Sequence, residues 1–111
     1  MRKFIFCLVA CLIFVDLVFA HPPQKVEVFI VKKNIVDITV THPSPNLKRH
    51  YVDKIEIILN RESVYTQKFT FQKSNFQKFA HRIPGLKKGD VLEVIAYCNR
   101  HGQLGKKITV E

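Results

Sequence analysis

Residues 25–31 read KVEVFIV, in which Val26, Val28 and Ile30 share one face. A period of two in the apolar positions is typical of a β-strand with one buried face. Six further runs rich in β-branched and aromatic residues follow, at residues 34–41, 51–59, 64–71, 76–83, 91–98 and 107–110. Turn signals separate them, among them the proline-containing loop at residues 42–46 and the segment PGLKKGD at residues 84–90. Seven such strands predict an all-β fold, a seven-stranded immunoglobulin-like antiparallel β-sandwich.

A different kind of sequence precedes these strands. Residues 1–20, MRKFIFCLVACLIFVDLVFA, have a positive start, a long apolar stretch and a small residue, Ala20, at the end. That layout is typical of a secretory signal peptide, and Asp16 argues against a permanent membrane span. We therefore predict cleavage after Ala20, one domain over residues 21–111, export to the periplasm and membrane contact through the signal peptide only. The alternative is a lipoprotein signal, because residues 8–11, LVAC, resemble a lipobox.

The chain is strongly basic. Its 111 residues include 18 Lys or Arg and 9 Asp or Glu, a formal charge of +9, and removal of residues 1–20 would lower this charge to +8. The remaining chain would keep a single cysteine, Cys98, which excludes an internal disulfide. A domain of this size has a small core, so a bound metal ion would help to stabilise it. No patterned basic patch indicates binding to nucleic acid.

The five histidines and Cys98 are the residues most suited to metal chemistry. Residues 98–101, CNRH, place a thiol and an imidazole three positions apart at the end of a predicted strand, a spacing that can hold one metal ion. His42 and His50 flank the second loop and can approach the same point. Each residue alone has an ordinary alternative, since free cysteines are often buried apolar residues and single histidines often only form hydrogen bonds.

Three segments together resemble the superoxide reductase family, which includes the iron-binding domain of desulfoferrodoxin and neelaredoxin. They are THP at residues 41–43, HYVDKIE at 50–56 and EVIAYCNRHG at 93–102. The resemblance extends over nearly all of residues 21–111. It implies a seven-stranded immunoglobulin-like fold, in agreement with the strand pattern, and one non-haem iron per chain. It also implies one-electron reduction of superoxide to hydrogen peroxide, with an electron donor protein as partner.

Position by position, the resemblance implies an iron site of four imidazoles and one axial thiolate. The implied ligands are His21, His42, His50, Cys98 and His101. His81 matches nothing in the family pattern, so we interpret it as an outward-facing strand residue. The coordination position opposite Cys98 would stay open for superoxide.

The sequence differs from the family pattern in three places. The loop between His42 and His50 is longer, Lys54 and Gln103 stand where the family has a tryptophan and another bulky residue, and the family's lysine before the first histidine is missing. Cleavage after Ala20 would leave a free α-amino group on His21, with a pKa of about 7.7–8.0. We predict that this group replaces the missing ammonium. Lys25, Lys48 and Arg49 are further candidates, so the predicted catalytic residues are His21 and Lys48.

Two other functions remain open from the sequence. An N-terminal histidine can chelate copper through its amine and its ring, which would make the protein a copper carrier without turnover. Such a carrier would not need Cys98. The other alternative is a partner-binding sandwich with a degenerate metal site. Exposed sheet edges also allow a homo-oligomer.

Overall fold

The computed structural model describes residues 21–32 and 34–111, so the predicted signal peptide lies outside the described residues. Seven antiparallel strands form two sheets. The strands are β1 (Lys25–Val31), β2 (Ile35–Thr41), β3 (Val52–Leu59), β4 (Glu62–Lys68), β5 (Phe76–Arg82), β6 (Val91–Cys98) and β7 (Gln103–Thr109). One sheet has the order β1-β2-β5 and the other the order β4-β3-β6-β7. The predicted all-β, seven-stranded sandwich is confirmed. Within the described residues, no helix has the length and apolar character needed to cross a membrane.

The core lies between the sheets and follows the alternation of the strands. On β2, the inward-facing residues Val36, Ile38 and Val40 are fully buried, whereas Asp37 between them is exposed. Ile57 of β3 pairs with Val94 of β6, and both are fully buried. Burial of one such side chain stabilises the fold by about 1.5–3 kcal/mol. These aliphatic contacts fix the distance between the sheets and therefore the distance between residues at their ends.

The β3–β4 turn is shorter than the sequence predicts. Residues 60–63 read as a four-residue turn, but β4 already begins at Glu62. Asn60 and Arg61 both have positive φ angles, 49° and 72°, as a two-residue hairpin turn matched to the strand twist requires. Likewise, β7 begins at Gln103 and not at residue 107. The sequence of β7 shows no regular alternation of apolar and polar residues, because β7 is an edge strand with mostly exposed side chains.

A hydrogen-bond network closes the end of the sandwich that carries the β3–β4 turn. The Asp90 carboxylate accepts from the Lys87 amide at 2.9 Å and from the Asn60 side-chain amide at 3.1 Å. Asn60 in turn accepts from the Val91 amide at 2.9 Å. The bonds from Lys87 and Asn60 lower the pKa of Asp90. This network joins the β3–β4 turn to the start of β6.

An aromatic seam joins the two sheets where β4 and β5 face each other. The rings of Tyr65 and His81 stack with centroids 3.7 Å apart and planes within 11° of each other. Phe69 and Phe79 meet edge to face beside them, at 6.0 Å. His81 pairs with the buried Val36 and shares its face. The prediction that His81 faces outward is therefore wrong, because β5 is an edge strand whose inner face is covered by Tyr65.

Candidate metal centre

Three histidines from separate segments meet at one end of the sandwich. His21 precedes β1, His42 follows β2, and His50 precedes β3. One ligand atom from each lies within 4.8 Å of the other two. The ring centroids are 4.8–5.2 Å apart, and His42 and His50 are buried, whereas His21 is half-buried. This end of the fold thus concentrates three imidazoles around a single point.

The long loop between His42 and His50 is accommodated by one compact turn. The carbonyl of Asn46 accepts hydrogen bonds from the amides of Arg49, at 3.1 Å, and His50, at 2.8 Å. The Asn46 side chain accepts from the amide of Lys48 at 3.3 Å. The turn absorbs the extra residues, so the rings of His42 and His50 still lie edge to face at 4.8 Å.

His42 presents one ring nitrogen to the centre. Its Nδ1 donates to the side-chain oxygen of Gln72 at 2.9 Å. Its Nε2 is buried and has no hydrogen-bond partner among the described residues. Burial lowers the pKa of His42, the bond to Gln72 acts in the opposite direction, and the charge of His21 lowers it further. A neutral imidazole with a free nitrogen lone pair is the form that binds a metal ion.

Cys98 lies directly beside His50. Its Sγ is 3.1 Å from Nε2 of His50, and its side chain is 9% exposed. The amide of Arg100 also points at this sulfur, at 3.4 Å. Burial lowers the pKa of His50, and the charges of His42, His21 and Arg100 add to the effect. The positive charge of Arg100 therefore acts on His50.

Asn99 fixes the neighbouring positions of His50 and Cys98. The Tyr51 amide donates to the Asn99 side chain, and the Asn99 amide donates to the Tyr51 carbonyl, both at 3.0 Å. The Asn99 side chain also donates to the carbonyl of Arg49 at 2.9 Å. These three bonds hold the residue after Cys98 against the residues on both sides of His50.

Two predicted site residues are exposed and are not members of this group. His101 is exposed in the turn after β6, which the bond from the Cys98 amide to the Gly102 carbonyl closes at 3.0 Å. Lys48 is exposed on the loop that leads to His50. The roles of both residues stay predictions. Sequence reasoning missed Gln72, Arg100 and the bonds of Asn99. Asn99 and Arg100 had a signal, their place between Cys98 and His101, whereas Gln72 had none.

The donor atoms fit a transition metal. Imidazole and thiolate together suit iron, zinc and copper. Nε2 of His50 and Sγ of Cys98 are 3.1 Å apart, close enough for one ion to bind both. The free Nε2 of His42 also requires a partner, because a buried polar atom without one is costly.

Comparisons with known proteins identify the family and the fold of this chain. The sequence profile described as Desulfoferrodoxin matches residues 18–106, most of the chain. A solved structure of superoxide reductase (neelaredoxin) from Archaeoglobus fulgidus in the reduced form has the same fold, with a TM-score of 0.53. It is 21% identical, and the match covers 82% of this chain and 89% of that one. No curated protein sequence matches. On the extent of the profile match, the chain belongs to the desulfoferrodoxin family.

Proposed function

We propose that the protein is an exported superoxide reductase with one iron ion per chain. His21, His42, His50, Cys98 and His101 would hold the iron. The observation that carries this proposal is the cluster of three imidazoles, with the Cys98 thiol 3.1 Å from Nε2 of His50, at one end of a desulfoferrodoxin-family fold. When bound, iron supplies one electron to superoxide, which takes up two protons and leaves as hydrogen peroxide.

The chain's own residues would prepare the site for this reaction. Gln72 and the turn at Asn46 hold His42 and His50 in place, and their lowered pKa values keep both imidazoles neutral at physiological pH. The amide of Arg100 donates to the sulfur of Cys98 and stabilises negative charge there. His101 would join the set by a movement of its exposed turn.

Positive charge would bring the superoxide anion to the site. The guanidinium of Arg100 lies close enough to affect the pKa of His50, and Lys48 and Arg49 are exposed on the neighbouring loop. The α-amino group of His21 would add a further cation after cleavage at Ala20. Converging charge of one sign speeds the encounter with a small anion, most strongly at low ionic strength.

An electron donor protein would be needed to return the iron to its reduced form. A groove on the outer face of the larger sheet reaches Cys98, and its lining includes two lysines and one aspartate beside aromatic rings: Lys54, Lys68, Asp53, Tyr51 and Tyr97. The ammonium of Lys54 lies 4.2 Å above the ring of Tyr97. This basic and aromatic surface suits an acidic donor. Homo-oligomer formation through the sheet edges stays a separate proposal.

The test is metal analysis and an optical spectrum of the oxidised protein, produced in bacteria with its own first 20 residues. We expect a mature N-terminus at His21 by mass spectrometry, about one iron per chain and a visible thiolate-to-Fe(III) band. Cys98→Ser should lose that band, whereas His81→Ala, outside the group, should keep it. Rapid mixing with superoxide should then oxidise the reduced protein and form peroxide.

The alternatives give different results in the same experiment. Copper bound through His21, with a spectrum unaffected by Cys98→Ser, would point to a copper carrier. A protein that binds neither metal would be a partner-binding sandwich. Either result would overturn the proposed reductase. Cell fractionation tests export separately, since a cytoplasmic chain with residues 1–20 intact would contradict it.

A further inference from the structure

The segment that crosses from β4 to β5 carries a buried glutamine that touches both sheets. Gln72 is 2% exposed, and its backbone amide donates to the Leu47 carbonyl at 2.9 Å. Its side-chain oxygen accepts from His42 Nδ1 and, at 2.7 Å, from the amide of Val52. Its side-chain nitrogen donates to the carbonyls of His42 and Ser74, each at 3.0 Å. Every donor of this amide group is therefore used.

This pattern leaves no choice in the orientation of the amide. The Val52 amide can only donate, and the two carbonyls can only accept, so the oxygen of Gln72 must face Val52 and His42. An oxygen beside Nδ1 of His42 requires a proton on that nitrogen. The neutral ring must then carry its lone pair on Nε2, the buried atom without a partner.

The same side chain fixes where His42 lies relative to Cys98. Val52 begins β3 and pairs with Cys98 across the β3–β6 ladder, while β4 pairs with β3 only from Lys54 onward. The Val52 amide therefore donates to the side-chain oxygen of Gln72 instead of to a neighbouring strand. Since Gln72 also bonds the backbone and the ring of His42, one side chain links the end of β2 to the strand that faces the cysteine.

We propose that Gln72 is a positioning residue of the metal centre, which sets the tautomer of His42 and aims Nε2 at the ion. The proposal rests on the proposed function only in taking His42 as a metal ligand, and it does not depend on superoxide as the substrate. Hydrogen-bond partners of this kind fix the ring orientation of a ligating histidine, and their loss typically lowers metal affinity about 10–100-fold.

Gln77 supplies a matched control. It is also buried, at 7% exposure, and its side chain donates to the carbonyls of Val52, at 3.0 Å, and Phe71, at 2.9 Å. It thus bonds the same residue of β3 as Gln72 does, but no hydrogen bond joins it to a histidine. Loss of Gln77 removes comparable backbone support and leaves His42 bonded to Gln72.

The experiment uses the full chain matured in the cell and then freed of metal. Nitrogen-15 NMR of the imidazoles at about pH 8, above the ordinary histidine pKa of about 6.5, reports which nitrogen of His42 carries the proton. Calorimetric titration with Zn(II), and then with Fe(II) without oxygen, reports affinity. We expect a proton on Nδ1 in the wild type. Gln72→Leu should give mixed tautomers and about 10–100-fold weaker Zn(II) binding, and Gln77→Leu should match the wild type in both.

A second variant separates the hydrogen bond to His42 from the loss of stability. Gln72→Glu keeps the acceptor for Nδ1 of His42 and the Val52 amide but loses the donors to the carbonyls of His42 and Ser74, so it should be less stable than the wild type. In the folded Gln72→Glu protein the proton should stay on Nδ1, and Zn(II) affinity should stay near the wild-type value. A proton on Nε2 in the wild type or in Gln72→Glu would overturn the proposal. So would equal effects of Gln72→Leu and Gln77→Leu. A wild type that binds neither metal would instead contradict the proposed function, and the tautomer measurement would still test Gln72.

Discussion

Gly102 lies directly against Pro22. A Cβ atom on Gly102 would come within 2.8 Å of the Cβ atom of Pro22, closer than such atoms approach in proteins, and Gly102 has a φ angle of +79°. Pro22 follows His21, and Gly102 closes the turn that begins at Cys98. The absence of a side chain at position 102 therefore lets the segment with the first histidine settle against the turn after the cysteine.

Gly102→Ala should weaken metal binding. The left-handed conformation costs a residue with a Cβ atom about 1–2 kcal/mol, and the new atom would also push Pro22 and His21 away from the other histidines. Gly85→Ala and Gly89→Ala are the controls, because both glycines have positive φ angles and an added Cβ atom there would have no neighbour within 4 Å among the described residues. All three variants should lose stability in denaturant unfolding through the left-handed conformation, and Gly102→Ala should lose more because of the contact with Pro22. Equal Zn(II) affinity in all three would contradict a link between Gly102 and His21.

Asp90 should make stability depend on pH in the acid range. Its pKa is lowered in the fold by the Lys87 amide and Asn60, below the unfolded value of about 3.9. The stabilisation is therefore complete above the unfolded pKa and is lost as the pH falls through the folded pKa. The stability difference between wild type and Asp90→Asn should shrink from about pH 5 to about pH 2 in denaturant titrations. Asp37→Asn, at an exposed position of β2, should show a much flatter difference.

His101 and His81 should respond in opposite ways to replacement by alanine. His101 is exposed, so His101→Ala should change stability by no more than about 0.5 kcal/mol but weaken iron binding and alter the visible band. His81 stacks on Tyr65, so His81→Ala should lower the free energy of unfolding by about 0.5–1.5 kcal/mol in addition to the effect of the buried area that is lost. Metal binding should be unchanged. Iron content and thermal unfolding of both variants decide this. Normal iron binding by His101→Ala would remove it from the ligand set.

The mature N-terminus should matter for the rate with superoxide. One alanine inserted between Ala20 and His21 would move the α-amino group away from the iron without removing a ring. We expect the second-order rate at low ionic strength to fall by about tenfold or more, since steering by charge supplies factors of this size. Lys48→Ala measures the share of the other predicted cation. Unchanged kinetics with the inserted alanine would rule out a role for the α-amino group.

Most of the fold could be predicted from sequence because its signals are local. The alternation in β1, β2 and β6 reflects faces that are alternately buried and exposed, and their predicted bounds lie within one residue of the observed ones. The predicted bounds of the edge strands β4 and β7 were less accurate. A strand that is exposed on both faces does not need alternating apolar and polar residues, so its sequence shows no clear pattern. His81 was placed on the wrong face for another reason: it matched nothing in the family pattern, and its stacking on Tyr65 exists only in the folded chain.

The sequence predicted only those residues of the candidate site whose side chains can themselves bind a metal ion. His42, His50 and Cys98 stand out as imidazoles and a thiol at strand ends, and the structure brings them together with His21. Gln72 gave no such signal, since a glutamine in a polar loop is ordinary in sequence. Its importance comes from burial and from bonds to residues in two sheets, which exist only in the folded chain.

The three histidines and the cysteine are spread over residues 21–98 and belong to both sheets. A partly synthesised chain, or one held unfolded during transport, offers only scattered donors. The complete set exists only after both sheets have closed. Because imidazole and thiolate accept several metals, the ion that is loaded would depend on which metals are present where folding ends. A cell could thus choose the metal of this protein by choosing the compartment in which it folds.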